Sequence, residues 1–104
     1  MKEIVIPLPE GIDSSITDRV KRLAAEHWGG FTEMPAAGGW ESPNGEIITE
    51  PVNVLTVVAS DEHDRDGTTP EQWARTTARV VAKESDESQV LWFVRQLAAG
   101  GFEE

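Results

Sequence analysis

Three segments of this chain, residues 4–8, 52–59 and 90–94, carry apolar side chains at nearly every position instead of every second one. A strand with one wet face alternates apolar with polar residues, so an unbroken apolar run means that both faces are covered. In the first segment Ile4, Ile6 and Leu8 point one way and Val5 the other. In the second, Val52, Val54, Thr56 and Val58 share one face, and Asn53, Leu55, Val57 and Ala59 share the opposite one. A fold for this sequence has to cover two sides of one sheet, and 104 residues leave few elements to do it.

Only two segments have helical spacing. Asp13-Ser14-Ser15 opens the first, and Ser15 with Asp18 three residues on has the form of a capping box. Ile16, Val20, Leu23, Ala24 and His27 then fall on one face, and Gly29-Gly30 ends the helix. Thr69-Pro70-Glu71-Gln72 opens the second: Thr caps, Pro takes the first helical position, and Gln reaches back from the third. Its apolar face is Trp73, Ala74, Thr77, Val80 and Val81, and the polar run at 84–88 ends it. Between the helices, residues 31–40 are extended but interrupted by Pro35 and Gly38-Gly39, which predicts a bulged or edge strand. Ser42-Pro43-Asn44-Gly45 is a tight turn leading into a long strand at 47–59, with a kink expected at Pro51.

The order is β-α-β-β-α-β. Two right-handed βαβ halves joined by a central hairpin give an α+β fold, the ferredoxin-like plait. It is a four-stranded antiparallel sheet with two helices on one face. We expect one domain over residues 1–104, with the tail at 98–104 fraying. Two helices cover one face only, so the second apolar face calls for another cover. A homo-oligomer packed sheet to sheet, dimer or trimer, is the expected solution. The alternative is that the C-terminal tail folds back and lays Phe102 over that face.

Nineteen acidic residues against nine basic ones leave a net charge of −10, which repels nucleic-acid phosphates and anionic membranes. No Lys or Arg falls between Arg22 and Arg65, so the middle of the chain is anionic. Arg75, Arg79 and Lys83 share one helix face, read as a solvated stripe or as a dock for an anion or partner. The chain has no cysteine, which excludes disulfides and thiolate chemistry. No apolar run is long enough to span a bilayer, and the first residues lack the pattern of a signal peptide, so a cytoplasmic protein is expected.

Chemistry-bearing residues are sparse. His63 lies among Asp61, Glu62, Asp64 and Asp66, a donor set that suits a divalent cation but not the spacing of a calcium loop. The solvated-loop reading is preferred, and no metal or cofactor is expected. His27, at the end of the first helix, reads as a cap or packing residue. Of the four tryptophans, Trp73 and Trp92 read as core. Trp28 and Trp40 flank a glycine-rich strand where a ligand could approach the backbone. They define a candidate ligand- or partner-binding region with Gly30, Thr32, Gly39 and Glu50. With Glu33, Glu41 and Glu50 near the hairpin, a ligand there would be cationic or neutral.

Gly30-Phe31-Thr32, Gly39-Trp40, Gly45-Glu46-Ile47, Glu50 and Val54-Leu55 resemble the pattern of a small uncharacterised bacterial family, over about a third of the chain. That resemblance implies the same plait and no known activity. The element order and the Gly-x-Thr after the first helix are also similar to PII-like and CutA-like signalling proteins. The resemblance to PII-like proteins implies a trimer with adenine-nucleotide clefts between subunits. Two departures weigh against nucleotide binding. The long loop of those proteins is replaced by the turn at Ser42 to Gly45. Their phosphate loop is replaced by Glu84-Ser85-Asp86-Glu87-Ser88, which is acidic and lacks glycine.

The expected function is a non-enzymatic, oligomeric binding module, sensing a small molecule at subunit clefts. One alternative is an acidic inhibitor or accessory protein, for example from a mobile element, that occupies a basic partner surface. The other is an enzyme of the dimeric α/β-barrel type using His27, His63 or Arg95.

Overall fold

The computed structural model describes residues 1–60, 66–87, 89–100 and 103. The chain runs β1 (Lys2–Pro9), α1 (Ser14–Trp28), β2 (Thr32–Glu41), β3 (Ile47–Ala59), α2 (Pro70–Ser85) and β4 (Phe93–Gln96). The strands form one antiparallel sheet in the order β2-β3-β1-β4. This is the α+β ferredoxin-like plait.

Register decides which side chains share a face. Ile4 lies opposite Val57 and Ile6 opposite Leu55, and all four are buried under the helices with Leu8 and Ala59. The other face carries Val5, Pro7 and Pro9 of β1 opposite Thr56, Val54 and Val52 of β3. Met34, Ala36 and Trp40 of β2 extend it on one side and Phe93 of β4 on the other.

The helices supply the cover for the first face. In α1 the buried row is Val20, Ala24 and Trp28, with Ile16 half-buried at its start. This i, i+4 row is rotated from the expected one: Leu23 is 45% exposed and His27 lies at the margin. The N-cap is Asp13, whose carboxylate accepts from the Ser15 amide, so Ser15 lies inside the helix and forms no capping box with Asp18. Gly29 ends α1 with φ of 94°, a conformation that favours glycine. In α2 the predicted box is present: the Thr69 hydroxyl accepts from the Gln72 amide at 3.1 Å, and Gln72 Oε1 accepts from the Thr69 amide at 2.9 Å. Thr69→Ala is expected to lower unfolding stability by about 1 kcal/mol, read as a shift in the urea midpoint.

The prolines explain where the sheet stops. The Leu97 amide donates to the Met1 carbonyl, so the odd residues of β1 turn their peptide groups toward β4. Pro7 and Pro9 share that parity and have no N–H to give. A longer β4 would meet Pro7 opposite Leu91. The ladder instead begins at Val5 opposite Phe93. The last strand is therefore Phe93–Gln96 and not the apolar run at 90–94. Val90 and Trp92 pack on the core ahead of it, and Leu91 is exposed. On β3 the Pro51 carbonyl accepts from Glu10, so its nitrogen also faces away from β2, past the end of β1. Pro35 faces the free edge of β2, and the register from Thr32 to Glu41 runs without a bulge.

Beyond Pro9 the β2-β3 hairpin continues alone. Residues 37–41 and 47–51 pair with each other and, the Glu10 bond to Pro51 aside, with no other described strand. At roughly 3.3 Å per residue they form an arm of about 17 Å. The molecule is accordingly 49 × 29 × 22 Å, with a radius of gyration of 14.7 Å against about 13 Å for a compact chain of this length. At the tip the Gly45 amide donates to the Ser42 carbonyl, and Gly45 takes φ of 86°, as the predicted turn requires.

Candidate functional site

The six residues singled out at the hairpin do not meet in one cleft of a single chain. Trp28 is 3% exposed and lies in the helix-side core, edge-on to Trp73 at 6.4 Å between ring centroids. Gly30 follows the α1 cap and is half-buried. Thr32, Trp40 and Glu50 lie on the face opposite the helices, which the described residues leave uncovered, and Gly39 lies on the helix side. Thr32 and Trp40 stand eight residues apart, about 26 Å along β2. Two features do come together there. Trp40 pairs across the ladder with Ile48 at the arm, and Met34 pairs with Val54 nearer its base. Trp40 is 51% exposed and Met34 58%. The result is one apolar row along a face that carries no helix.

A second concavity lies on the helix side. Antiparallel α1 and α2 leave a groove of about 570 Å³ between them. Arg19, Leu23 and His27 line it from α1; Gln72, Thr76 and Val80 face them from α2, each row at i, i+4, i+8 spacing. Val20 and Trp73 also line it. An ionisable pair stands at each end. Arg19 pairs with Glu84 at one end. At the other, His27 Nε2 stands 3.9 Å from Asp66 Oδ1, too far for a hydrogen bond. Among the described residues His27 Nε2 is buried without a hydrogen-bond partner, as is Trp28 Nε1. Such atoms cost about 1–3 kcal/mol each. Sequence reasoning passed over this groove, because Leu23 and Val80 looked like core positions.

Asp66 accepts from the Thr68 side chain and from its amide at 3.0 Å, and these bonds hold its carboxyl below the usual aspartate value. Ser15 lowers Asp13 in the same way, and Lys2, 2.7 Å away, lowers Glu71. A carboxyl depressed in the fold adds stability that is present above its unfolded pKa and lost as pH falls through its folded one. Urea midpoints are expected to hold from neutrality down to about pH 5 and to fall below about pH 4. Lys21 donates to Glu33 at 2.9 Å, which ties α1 to β2 and raises the lysine above its usual value. That contribution is present at neutral pH and is lost only as pH rises through the folded lysine value.

Among the described residues no group of three or more His, Asp or Glu is placed to hold a metal ion, and no helix is long and apolar enough to cross a membrane. The His63 loop and Phe102 lie outside the described residues. Arg95 is on the uncovered face, where it binds Glu3 and lies 5.9 Å over the Phe93 ring. Of the basic stripe, Arg75 lies over the Trp92 ring at 5.6 Å, while Arg79 and Lys83 are exposed.

No family model matches the sequence, and no curated protein matches it. The fold has relatives among solved structures. A DUF3240 family protein from Shewanella baltica OS155 aligns with a TM-score of 0.58 at 14% identity, over 99% of this chain and 96% of that one. A point variant of CutA1 from Pyrococcus horikoshii OT3 aligns with a TM-score of 0.60 at 9% identity, over 97% and 87%. The chain shares their fold. At these identities the likeness extends to the path of the backbone and no further.

Proposed function

We propose that this protein is a non-enzymatic, oligomeric binding module whose copies pack through the uncovered face of the sheet. One observation carries the reading: the face without helices is as apolar along β1 and β3 as the face with them. Val5, Pro7, Val52, Val54, Val58, Met34 and Phe93 share it, and Trp40 and Ile48 prolong it onto the arm. Burying several hundred Å² of such surface per copy favours association by many kcal/mol before its entropic cost, at about 25 cal/mol per Å². The arm reaches past the rest of its own sheet, which supports a packing in which it lies on a neighbour. Clefts beside it would be lined by Glu41, Glu46 and Glu50 of the arm and its turn, which suits a cationic or neutral small molecule.

Light scattering during size exclusion, at low and high salt, tests this directly. A dimer or trimer at both salts is expected, because apolar contacts are not screened. A monomer at both overturns the proposal. The uncovered face would then be a dock for a different protein, the accessory-protein reading, and the acidic arm would make its binding strongly salt-sensitive.

A further inference from the structure

The groove between α1 and α2 is separate from the face just discussed, on the opposite side of the sheet. We propose that it is a binding site for a small organic amine: a cationic nitrogen on an apolar, ring-sized body. Four observations support this occupant. The volume of about 570 Å³ falls within the range of small-molecule sites. Val20, Leu23, Trp73 and Val80 give it apolar walls, and Leu23 and Val80 remain more than 40% exposed although both are large hydrophobics. At one end the Asp66 carboxylate is mostly exposed, fixed in place by Thr68, and among the described residues pairs with no Lys or Arg. Beside it His27 Nε2 is buried with no hydrogen-bond partner among the described residues. The cation at the far end, Arg19, is already taken by Glu84. Among the described residues the open pole of the groove is therefore anionic, in a chain of net charge −10.

An ammonium at Asp66 would make a charge-assisted hydrogen bond while its ring lies between Leu23, Trp73 and Val80. An acid of the same shape would be repelled there. The discriminating measurement uses two matched probes, para-fluorophenethylamine and para-fluorophenylpropanoate. Binding is followed by fluorine NMR of the probe and by amide NMR of the protein. The amine is expected to shift amides at Leu23, His27, Thr68, Gln72 and Thr76, and the acid is not. Asp66→Asn, at an exposed position, should weaken the amine about ten- to hundredfold. Thr76→Trp, which fills the groove from an exposed helix position, should abolish binding. The proposal is overturned if the acid binds as well as the amine, or if Asp66→Asn leaves amine affinity unchanged. Amide shifts confined to the hairpin arm, or no binding at millimolar amine, overturn it too. None of these outcomes depends on the oligomeric state, so the groove and the sheet interface stand or fall separately.

Discussion

Val54→Asp is expected to yield a folded monomer. Val54 sits mid-strand on the uncovered face, opposite Pro7 on one side and Met34 on the other. In an isolated chain it is half-buried and faces outward, so a carboxylate there keeps its water. In an assembly packed through that face the same carboxylate is enclosed among apolar neighbours with no cation beside it. An uncompensated buried charge costs about 3–5 kcal/mol. A symmetric dimer meets that cost twice, which weakens association roughly 10⁴-fold or more. Light scattering should report the monomer mass while the helical circular-dichroism signal is kept. A variant that stays oligomeric places the interface elsewhere. Trp40→Ala, on the arm, is expected to weaken association less and to leave the monomer's own stability within about 0.5 kcal/mol.

Trp28→Ala is expected to be the most damaging single truncation inside the monomer. The side chain fills the junction of α1, α2 and the sheet, edge-on to Trp73 and tilted against the His27 ring at 4.5 Å. Removing a buried tryptophan costs about 3–5 kcal/mol, against a total of about 5–15 kcal/mol for a domain. The melting temperature should fall by at least about 12 °C. Trp28→Phe should cost far less, since it keeps most of the ring and removes an Nε1–H that has no partner among the described residues. Equal losses in the two variants would show that the indole N–H has a partner in solution. Experiment is thus expected to separate the two tryptophans that the sequence groups at one hairpin: Trp28 should govern unfolding and Trp40 association.

Much of the fold could be read along the chain, because its signals are local. The Thr69 box, the Gly29 cap and the Ser42 to Gly45 turn each depend on a few neighbouring residues, and each is found where the sequence places it. Helical spacing located both helices and the buried Ala74, Thr77 and Val81 of α2, but it set Leu23, His27 and Val80 inward and missed Trp28. Val20, Ala24 and Trp28 differ from Leu23 and His27 by a small angle around the same helix, and hydrophobicity alone does not separate them. The last strand was misjudged for a related reason. An apolar run shows that residues are covered but not by what, and the ladder's end was set by Pro7, more than eighty residues away in sequence.

The sequence by itself determined the element order, the two-sided apolar strands, the anionic middle and the absence of cysteine chemistry. Those follow from composition and from spacings of a few residues. Only the tertiary structure decided which apolar set faces the helices, Leu55 and Val57 rather than Val54 and Val52. Only the tertiary structure placed Trp28 in the core and opened a groove between Leu23 and Val80. Strand parity and helix rotation are settled when distant segments choose partners, since a one-residue slip in register or a partial turn of a helix exchanges the buried set for the exposed one.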